Sequence, residues 1–538
     1  MYLNVRSIIS TVCTWYGRKD RWWLPLLCGL FFSIGHPPFN HETHPLLFPF
    51  PFLVFVTTIP LFIFSLERKI KRAVLKTYLF GITASLTQFY WIANVMVEDV
   101  WLLIMLGLFL LTMFIATFFL LYGMLFRLSV KFCGRLYIIV YPAAWILIEY
   151  IRTLGDLSFP WEFPGNALSP LLPLVQIASV TGIYGLSFLV VLGNILIWEL
   201  LQAFYRRNPI QSPVRNLCLF VGFLILITVG GFFRLNKYRH FDDHVRISLI
   251  QNNMDQAHWE NGISLDTSMT ITEEMVFKAV RENPEMLVFP ESAIFCYLER
   301  NRRRWMQVLR WSEYVNVPFL LGTLHFERER ETPYYKYRVY NAVFFLDTGS
   351  TAFEHYYKIK LVPFSEALPF EGAFPILSRI NLGESDFSRG KKEIVFNIHD
   401  RIYPAPFICY EIIYPDFVRR RVKAGANMLV NVTNDGWFGH STAAFQHAAM
   451  ARMRSIENGV SLARCANSGI SMLVDPVGRI IAKTKLYSRT VLTDAVTYEK
   501  IPTVYTQAGD WIIGVSLLVI LAAGGFSVLQ QFRRRERT

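Results

Sequence analysis

The sequence predicts a multi-span α-helical membrane domain joined to an α/β domain that is inserted before the last membrane helix. Two observations lead to this fold class. Of 538 residues, 53% are hydrophobic and only 18% are charged, whereas soluble domains carry roughly 25% charged residues. Long apolar runs fill the chain up to residue 233 and return at residue 511, and the stretch between them alternates β-rich and helical segments.

Eight apolar runs are candidates for membrane-spanning helices, and most reach the ~17–25 residues that a span needs. The first run is short, and the sequence GHPPFNHETHP after it is compatible with a broken or re-entrant first pair of helices. We therefore expect about eight transmembrane helices. The runs lie at 22–35, 46–66, 77–97, 100–126, 136–151, 170–204, 217–233 and 511–531.

Basic residues alternate between the segments that connect these runs. Cytoplasmic loops of membrane proteins carry an excess of Lys and Arg. The pattern predicts that both termini are cytoplasmic and that the large inserted region lies outside, an assignment that a single miscounted span would invert. The basic segments are 1–21, 67–76, 127–135, 206–215 and 533–538, which together hold 19 Lys and Arg against three acidic residues.

The apolar runs and the charge pattern together divide the chain into three parts. Residues 1–233 are expected to hold transmembrane helices 1–7, residues 234–510 to form an extracytoplasmic domain, and residues 511–538 to form the last helix and a basic cytoplasmic tail. The net charge of +13 resides in the predicted cytoplasmic segments. It therefore reports membrane topology and gives no reason to expect a nucleic-acid partner.

The inserted region alternates predicted strands and helices, which indicates sheets covered by helices. At about 250 residues it is large enough to bury its own core. The predicted strands are 245–253, 286–292, 319–326, 340–349, 393–398, 405–411, 427–435 and 471–480, and the predicted amphipathic helices are 268–281, 299–315, 415–424 and 441–457, the last capped by Ser441.

The seven cysteines contain no CxxC pair and no metal-ligand spacing, so the sequence predicts neither a disulfide framework nor a metal site, and no cofactor is expected. Cys296 and Cys465 both fall in the predicted outer region, where they could form a disulfide, and the sequence does not decide whether they do. We expect them to be free thiols.

Three polar residues stand at the ends of predicted strands, where ligands bind in open α/β folds. Each has an ordinary reading taken alone: Glu291 as a carboxylate at a helix start, Lys358 as a solvated residue, and Cys409 as a small core residue. Together they make a nucleophilic set. A thiol with a pKa near ~8.5 needs a base or a cation beside it, and a carboxylate and an ammonium provide both.

The motifs around these residues resemble those of the carbon–nitrogen hydrolase (nitrilase) superfamily. They are Pro290-Glu291-Ser292, Tyr357-Lys358 and Cys409-Tyr410-Glu411, followed by NVTNDGWFG at 431–439 and NSGISMLVDPVGRI at 467–480. The resemblance implies an αββα sandwich with a Glu–Lys–Cys triad in this chain order. With membrane spans before it and one after it, the match narrows to the bacterial apolipoprotein N-acyltransferases and covers nearly the full chain.

The resemblance implies an acyltransferase of the bacterial cytoplasmic (inner) membrane with two substrates. Cys409 would take an acyl chain from the sn-1 ester of a phospholipid, forming a thioester. The amine of a diacylglyceryl-modified N-terminal cysteine on an apolipoprotein would then accept it. Glu291 would be the general base and then the acid, and Lys358 would stabilise the oxyanion.

Further site residues are also carried over from the resemblance. Glu366 matches a carboxylate that supports the site, and Tyr410 and Glu411 match residues beside the nucleophile, with the backbone N–H of Tyr410 as an oxyanion donor. Trp259 and Trp437 match aromatic positions associated with substrate binding. One departure is Lys360, which stands where the family commonly has His; Lys358 remains the expected catalytic cation.

Two other functions stay open from the residues alone. The first is a membrane-anchored amidase or nitrilase that acts on small amides with water as the second substrate. The second is a transporter or scaffold whose outer domain only binds, although the apolar runs carry little of the charge that an ion path requires. The siting of a thiol domain between two membrane anchors favours a lipid substrate, because extracting a lipid into water costs roughly 0.8 kcal/mol per exposed CH₂.

Overall fold

The first part of the chain is helical in the computed structural model. The structure describes residues 21–35, 50–95, 101–161, 163–254, 264–330, 335–348, 352–370 and 387–535. The helices of this part are α1 (Leu24–Phe32), α2 (Phe50–Leu53), α3 (Ile59–Ser65), α4 (Ile70–Phe89), α5 (Trp101–Phe132), α6 (Tyr137–Ile151), α7 (Leu172–Val175), α8 (Ala178–Arg206) and α9 (Gln211–Lys237).

The second part is an α/β domain, followed by a return to helix. Its strands are β1 (His244–Gln251), β2 (Met286–Val288), β3 (Ile294–Tyr297), β4 (Phe319–Arg330), β5 (Tyr335–Leu346), β6 (Phe353–Tyr357), β7 (Pro404–Ile408), β8 (Met428–Thr433), β9 (Ser461–Ala466), β10 (Met472–Val474), β11 (Ile480–Lys483) and β12 (Thr490–Thr497). Its helices are α10 (Leu265–Val280), α11 (Arg302–Val315), α12 (Pro415–Lys423) and α13 (Ala443–Asn458), and α14 (Val504–Ala508) and α15 (Trp511–Arg535) close the described chain.

Four helical segments within the described residues are long and apolar enough to cross a membrane. They are Trp101–Phe132, Gly134–Ile151, Ala178–Arg206 and Gln211–Lys237, and the apolar stretch Trp511–Ser527 of α15 is shorter. In the run at 46–66, the described residues 50–66 contain the short helices α2 and α3. Pro60 lies in the first turn of α3, and a proline cannot donate the backbone bond that would continue an earlier helix. Eight spans therefore stay a prediction.

Two sheets make up the α/β domain. One has the order β12-β1-β2-β4-β5-β6, with β3 paired to β4, and the other has the order β11-β10-β9-β8-β7. In the second sheet β7, β8 and β9 are parallel, with Ile408 opposite Val432 and Val432 opposite Cys465. The carboxyl ends of these three strands therefore lie at one edge, where residue 409 follows directly.

The two sheets pack face to face and each is covered on its outer face by helices. The core between the sheets includes Val288 and Val343 from one sheet and Val430 and Leu473 from the other. Helices α10 and α11 cover the first sheet, and α12 and α13 cover the second. This is the αββα sandwich that the resemblance implied.

Most predicted elements of this domain are present, but the predicted strand at 393–398 is wrong. In this segment only an isolated bridge between Ile398 and Ile402 forms. Phe396 and Ile398 fill the core between the sheets, so their alternating pattern reflects burial rather than strand pairing. The predicted strand at 471–480 is a hairpin, since β10 turns into β11.

Helix α13 joins the α/β domain to the membrane helices. It was predicted as an amphipathic helix, yet every residue except Phe445 is buried. One hydrophobic cluster runs without interruption from the second sheet through α12 and α13 into α8 and the other membrane helices. The helix is largely buried because it lies between a sheet and the membrane helices, and polar side chains such as His447, Arg454 and Asn458 form hydrogen bonds inside the protein.

Candidate active site

Cys409 lies at the carboxyl end of β7, at a sharp change of direction. Its φ of 48° is in the left-handed region, which costs a non-glycine residue roughly 1–2 kcal/mol. The chain turns here from the strand into a short 3-10 helix, Cys409–Ile413. Cys409 keeps partial exposure while its chain neighbours are buried. The turn therefore presents the thiol at the edge of the sheet.

Glu411 holds this turn in place. One carboxylate oxygen accepts from the backbone N–H of Ile408 at 2.8 Å. The other accepts from the backbone N–H groups of Ile359 and Lys360 at 2.7 and 3.1 Å, and from the Tyr356 hydroxyl at 2.7 Å. A fully buried carboxylate with four donors thus ties the Cys409 turn to the segment that carries Lys358.

Lys358 follows β6 and is the most buried member of the predicted triad, 1% exposed. Its Nζ donates to Glu366 Oε1 at 2.7 Å and lies 3.5 Å from Glu291 Oε1. Asn341 on β5 donates to the same two carboxylates, at 2.7 Å to Glu291 and 3.4 Å to Glu366. We call Glu291, Lys358 and Glu366 the carboxylate–lysine cluster.

Glu291 follows β2 and reaches the cluster because the neighbouring strand leaves room for it. A Cβ on Gly322 of β4 would lie 2.1 Å from the carbonyl oxygen of Pro290, so only glycine permits this approach. The second carboxylate oxygen of Glu291 accepts from the backbone N–H of Asn434 at 2.9 Å. Glu291 is therefore held by hydrogen bonds from both sheets, from Asn341 on β5 and from the backbone of Asn434 after β8.

The charges of the cluster act on the thiol. Burial, followed by the Glu291 carboxylate, raises the pKa of Cys409, although Lys358 and a hydrogen bond with Thr433 act against this rise. Burial also raises the pKa of Glu291. Burial alone lowers the pKa of Lys358, but Glu366 and Glu291 outweigh it and raise that pKa. The thiol is therefore protonated at rest, the ammonium stays charged, and Glu291 has a raised affinity for a proton.

A second polar group supports the backbone at Cys409, and of its four members the sequence predicted only Glu411. His447 on α13 has its Nε2 3.1 Å from the carbonyl oxygen of Cys409, which can only accept, so this bond places a proton on Nε2. Its Nδ1 lies 2.9 Å from Asp435 and 3.2 Å from Arg464, and Arg464 donates to the Asp435 carboxylate at 2.7 Å. We call Glu411, Asp435, His447 and Arg464 the turn-support cluster.

Interactions within the turn-support cluster shift the pKa values of Asp435 and His447. Burial acts to raise the pKa of Asp435, but Arg464 and His447 outweigh it and lower that pKa to about 2. Burial and then Arg464 lower the pKa of His447. The structure places His447 fully buried against the backbone of Cys409.

The membrane part touches the site through aromatic residues. Trp161 packs against the His447 ring with centroids 5.5 Å apart and the ring planes tilted by 38°. Trp161 and Trp91 both donate to the side-chain oxygen of Gln446, at 2.8 and 3.2 Å. Tyr410 donates its hydroxyl to the carbonyl oxygen of Ser158 at 2.8 Å. Two segments that contact Cys409, helix α13 and the 3-10 turn, are therefore both anchored to the first part of the chain.

The remaining residues singled out from the sequence lie outside the carboxylate–lysine cluster or outside the described residues. Trp437 is partly exposed on the short helix Asp435–Phe438, and Trp259 lies outside the described residues. Lys360 places its Nζ over the Tyr414 ring at 5.1 Å rather than in the cluster. Cys296 and Cys465 are free thiols. Within the described ranges, no group of three or more His, Cys, Asp or Glu side chains is arranged to hold a metal ion.

Comparison with known proteins identifies both parts of the chain. Residues 28–196 match the family model of the apolipoprotein N-acyltransferase N-terminal domain. Residues 246–504 match the model of the carbon-nitrogen hydrolase family.

Relatives that match most of this chain are apolipoprotein N-acyltransferases. The apolipoprotein N-acyltransferase of Geobacter metallireducens is 33% identical over 72% of this chain and 74% of its own length. That of Chlorobaculum tepidum is 31% identical over 73% of this chain and 77% of its own length. That of Rickettsia typhi is 28% identical over 93% of this chain and 96% of its own length.

Solved structures also show similarity to about half of this chain. A carbon-nitrogen hydrolase from Helicobacter pylori is 14% identical, with a TM-score of 0.37, over 50% of this chain and 92% of its own. An amidase from Nesterenkonia sp. is 16% identical, with a TM-score of 0.36, over 50% and 94%. The sequence relatives cover both the membrane helices and the αββα domain, and on this basis the chain belongs to the apolipoprotein N-acyltransferase family.

Proposed function

We propose that this acyltransferase moves the sn-1 acyl chain of a phospholipid onto the N-terminal amine of a diacylglyceryl-modified apolipoprotein, through a thioester on Cys409. The observation that carries the proposal is the position of Cys409, held at a strained strand end beside a buried Glu–Lys pair. The family relationship supplies the reaction class, and the site residues are assigned from their geometry.

In the first half-reaction Glu291 accepts the proton of the Cys409 thiol. The thiolate attacks the ester carbonyl carbon, and the ammonium of Lys358 and the backbone N–H of Tyr410 stabilise the oxyanion. The ester C–O bond then breaks, and Glu291 returns the proton to the departing lysophospholipid oxygen. The raised pKa values of Cys409 and Glu291 suit this exchange, because the thiol gives up its proton only while Glu291 takes it.

In the second half-reaction the amine of the apolipoprotein attacks the thioester carbonyl. Glu291 accepts a proton from the attacking nitrogen, and the C–S bond breaks as the amide forms. The same proton then restores the thiol of Cys409. Glu366 keeps Lys358 in place during both steps through its 2.7 Å ion pair, and Trp259 and Trp437 are proposed to contact the substrates.

We also propose how the enzyme sits in the bacterial inner membrane. Residues 1–233 and 511–538 would provide eight spans, and residues 234–510 would be the extracytoplasmic catalytic domain. The basic segments between the apolar runs support this orientation. The contacts of Trp91, Trp161 and Ser158 with the catalytic domain support a site close to the bilayer surface.

The test is a transfer assay with the purified full chain. The donor is a phospholipid labelled in its sn-1 chain, and the acceptor is a peptide with an N-terminal diacylglyceryl-cysteine. We expect labelled amide product from the wild-type enzyme and none from Cys409→Ala. Hydrolysis of small amides without a lipid requirement would instead establish the amidase alternative, and full transfer by Cys409→Ala would overturn the assignment of the nucleophile.

A further inference from the structure

A groove separate from the catalytic residues runs along the membrane side of the α/β domain. It encloses about 410 Å³, and neither Glu291, Lys358 nor Cys409 lines it. Its floor comes from one face of α13, where residues three and four apart share a side, together with apolar residues of the second sheet. The apolar lining residues are Phe445, Ala448, Ala449, Ile470, Met472, Ile480 and Leu486.

The rim of the groove is basic. Lys483 and Lys485 are exposed at its edge, and Arg452 and His440 also line it, whereas none of the lining residues is acidic. Arg452 already binds the carbonyl oxygens of Gly478 and Ser169. Neither Lys483 nor Lys485 has a carboxylate partner in the part of the chain that the structure describes. Two ammonium groups are thus available above an apolar floor.

The groove lies beside the end of a lipid-facing helix. The turn before β11 is docked there, since Arg479 donates to the carbonyl oxygens of Leu235 and Tyr238 at the end of α9. Helix α9 is long and apolar enough to cross a membrane, and only 11% of its apolar stretch is buried inside the protein, as expected of a helix that faces lipid. Lys483 follows Arg479 by four residues, about 13 Å in an extended strand.

We propose that this groove binds a phospholipid with a net negative headgroup. Lys483 and Lys485 would hold the headgroup phosphate, and the apolar floor would take the first part of an acyl chain. A zwitterionic headgroup brings its own ammonium close to the two lysines and is bound less well. The proposal concerns binding alone and does not rest on the chemistry assigned to Cys409.

The test uses the full chain with Cys409→Ala, which cannot consume the lipid. Phosphatidylglycerol and phosphatidylcholine are titrated in detergent, and bound lipid is counted by native mass spectrometry. We expect tighter binding of phosphatidylglycerol. The double change Lys483→Gln and Lys485→Gln should weaken it by about 25-fold, near fivefold for each charge at a lipid surface, and should weaken the binding of phosphatidylcholine by a smaller factor, because its own ammonium offsets the attraction of the lysines.

The matched control is Lys391→Gln with Lys392→Gln, two exposed lysines of the same domain that lie away from the groove. This pair makes the same change in net charge and should alter phosphatidylglycerol binding by less than twofold. A phosphatidylglycerol with a photoreactive acyl chain should label peptides of α13 and β11.

Three results would overturn the proposal. They are an equal loss in the control pair, labelling confined to other segments, or unchanged phosphatidylglycerol binding in the groove variant. Displacement by inorganic phosphate at concentrations comparable to the lipid would also contradict it, because the groove would then be a site for soluble anions.

Discussion

Two polar clusters flank Cys409 and differ in their chemistry. The carboxylate–lysine cluster places two buried carboxylates around one ammonium. In the turn-support cluster, Glu411 accepts hydrogen bonds from four donors, and Asp435 pairs with both Arg464 and His447. A proton can move between Cys409 and Glu291 of the first cluster, because the pKa values of both groups are raised. In the second, Asp435 stays ionised, and His447 is held between the Cys409 carbonyl oxygen and the Asp435 carboxylate.

This difference assigns two different roles to two groups of buried residues. A buried group that can gain or lose a proton can take part in acid–base steps. A buried charge whose hydrogen bonds are all satisfied instead keeps the surrounding backbone in one conformation. The first cluster is therefore expected to determine the rate of transfer and its pH dependence. The second is expected to determine the stability of the strained turn at Cys409 and the placement of its thiol.

The largest effect is expected from Lys358→Met. Loss of the oxyanion donor should lower kcat/KM for acyl transfer by about 10³-fold. The protein should stay folded, because the two carboxylates left behind can share a proton. The measurement is the transfer rate together with a thermal unfolding curve.

Lys360→Met is the matched control for that change, since it removes a lysine two positions away that lies outside the cluster. It should change kcat/KM by less than about fivefold. If the two variants lose activity equally, Lys358 is not the specific oxyanion donor.

Glu411→Gln should act mainly on stability. The amide has one acceptor oxygen where the carboxylate has two, so its NH₂ group would face N–H donors in a buried site. Unpaired buried donors cost about 1–3 kcal/mol each, so we expect the free energy of unfolding to fall by about 2–3 kcal/mol. Glu393→Gln, at a partly exposed pair with Arg420, should change it by less than about 1 kcal/mol. Unchanged stability in Glu411→Gln would refute the role of the four donors.

His447→Gln is expected to have a smaller effect on rate. The variant loses the imidazole bond to the Cys409 carbonyl, so the thiol is less well placed, and kcat/KM should fall about tenfold. The pH at which activity is half-maximal should not move, because His447 does not carry the transferred proton. A shift of the profile would instead make His447 an acid–base group.

The smallest expected effect is a shift in pH dependence. Asn341 donates to the Glu291 carboxylate and so favours its ionised form. In Asn341→Ala the pKa of Glu291 should rise further, and the acid limb of the kcat/KM profile should move to higher pH by about one unit. Asn397→Ala, on an exposed turn, is the control. A limb that stays in place, or moves to lower pH, would contradict Glu291 as the base.

The sequence predicted the parts of the site that follow strands in chain order. Glu291, Lys358 and Cys409 stand at strand ends, so local pattern and motif order were enough to bring them together. Glu366 followed from its spacing in the resemblance. The αββα architecture likewise follows from alternating elements and is present in the two sheets.

The remaining residues could not be predicted because tertiary packing brings them in. Asn341 lies in the middle of β5, and Arg464 in the middle of β9, and their roles depend on which strands pair. His447 lies on a helix whose polar residues suggested exposure but are paired inside the protein. The sequence signal was a polar residue inside an otherwise apolar segment, as in YNAVFFL at 340–346.

The most direct test of the account is to trap the acyl-enzyme. The full chain is incubated with a phospholipid labelled in its sn-1 chain, without acceptor, and its peptides are analysed by mass spectrometry. We expect close to one hydroxylamine-sensitive acyl group on the peptide that contains Cys409, and none in Cys409→Ala or Glu291→Gln. An acyl group on any other residue, or undiminished acylation in Glu291→Gln, would contradict the proposed mechanism.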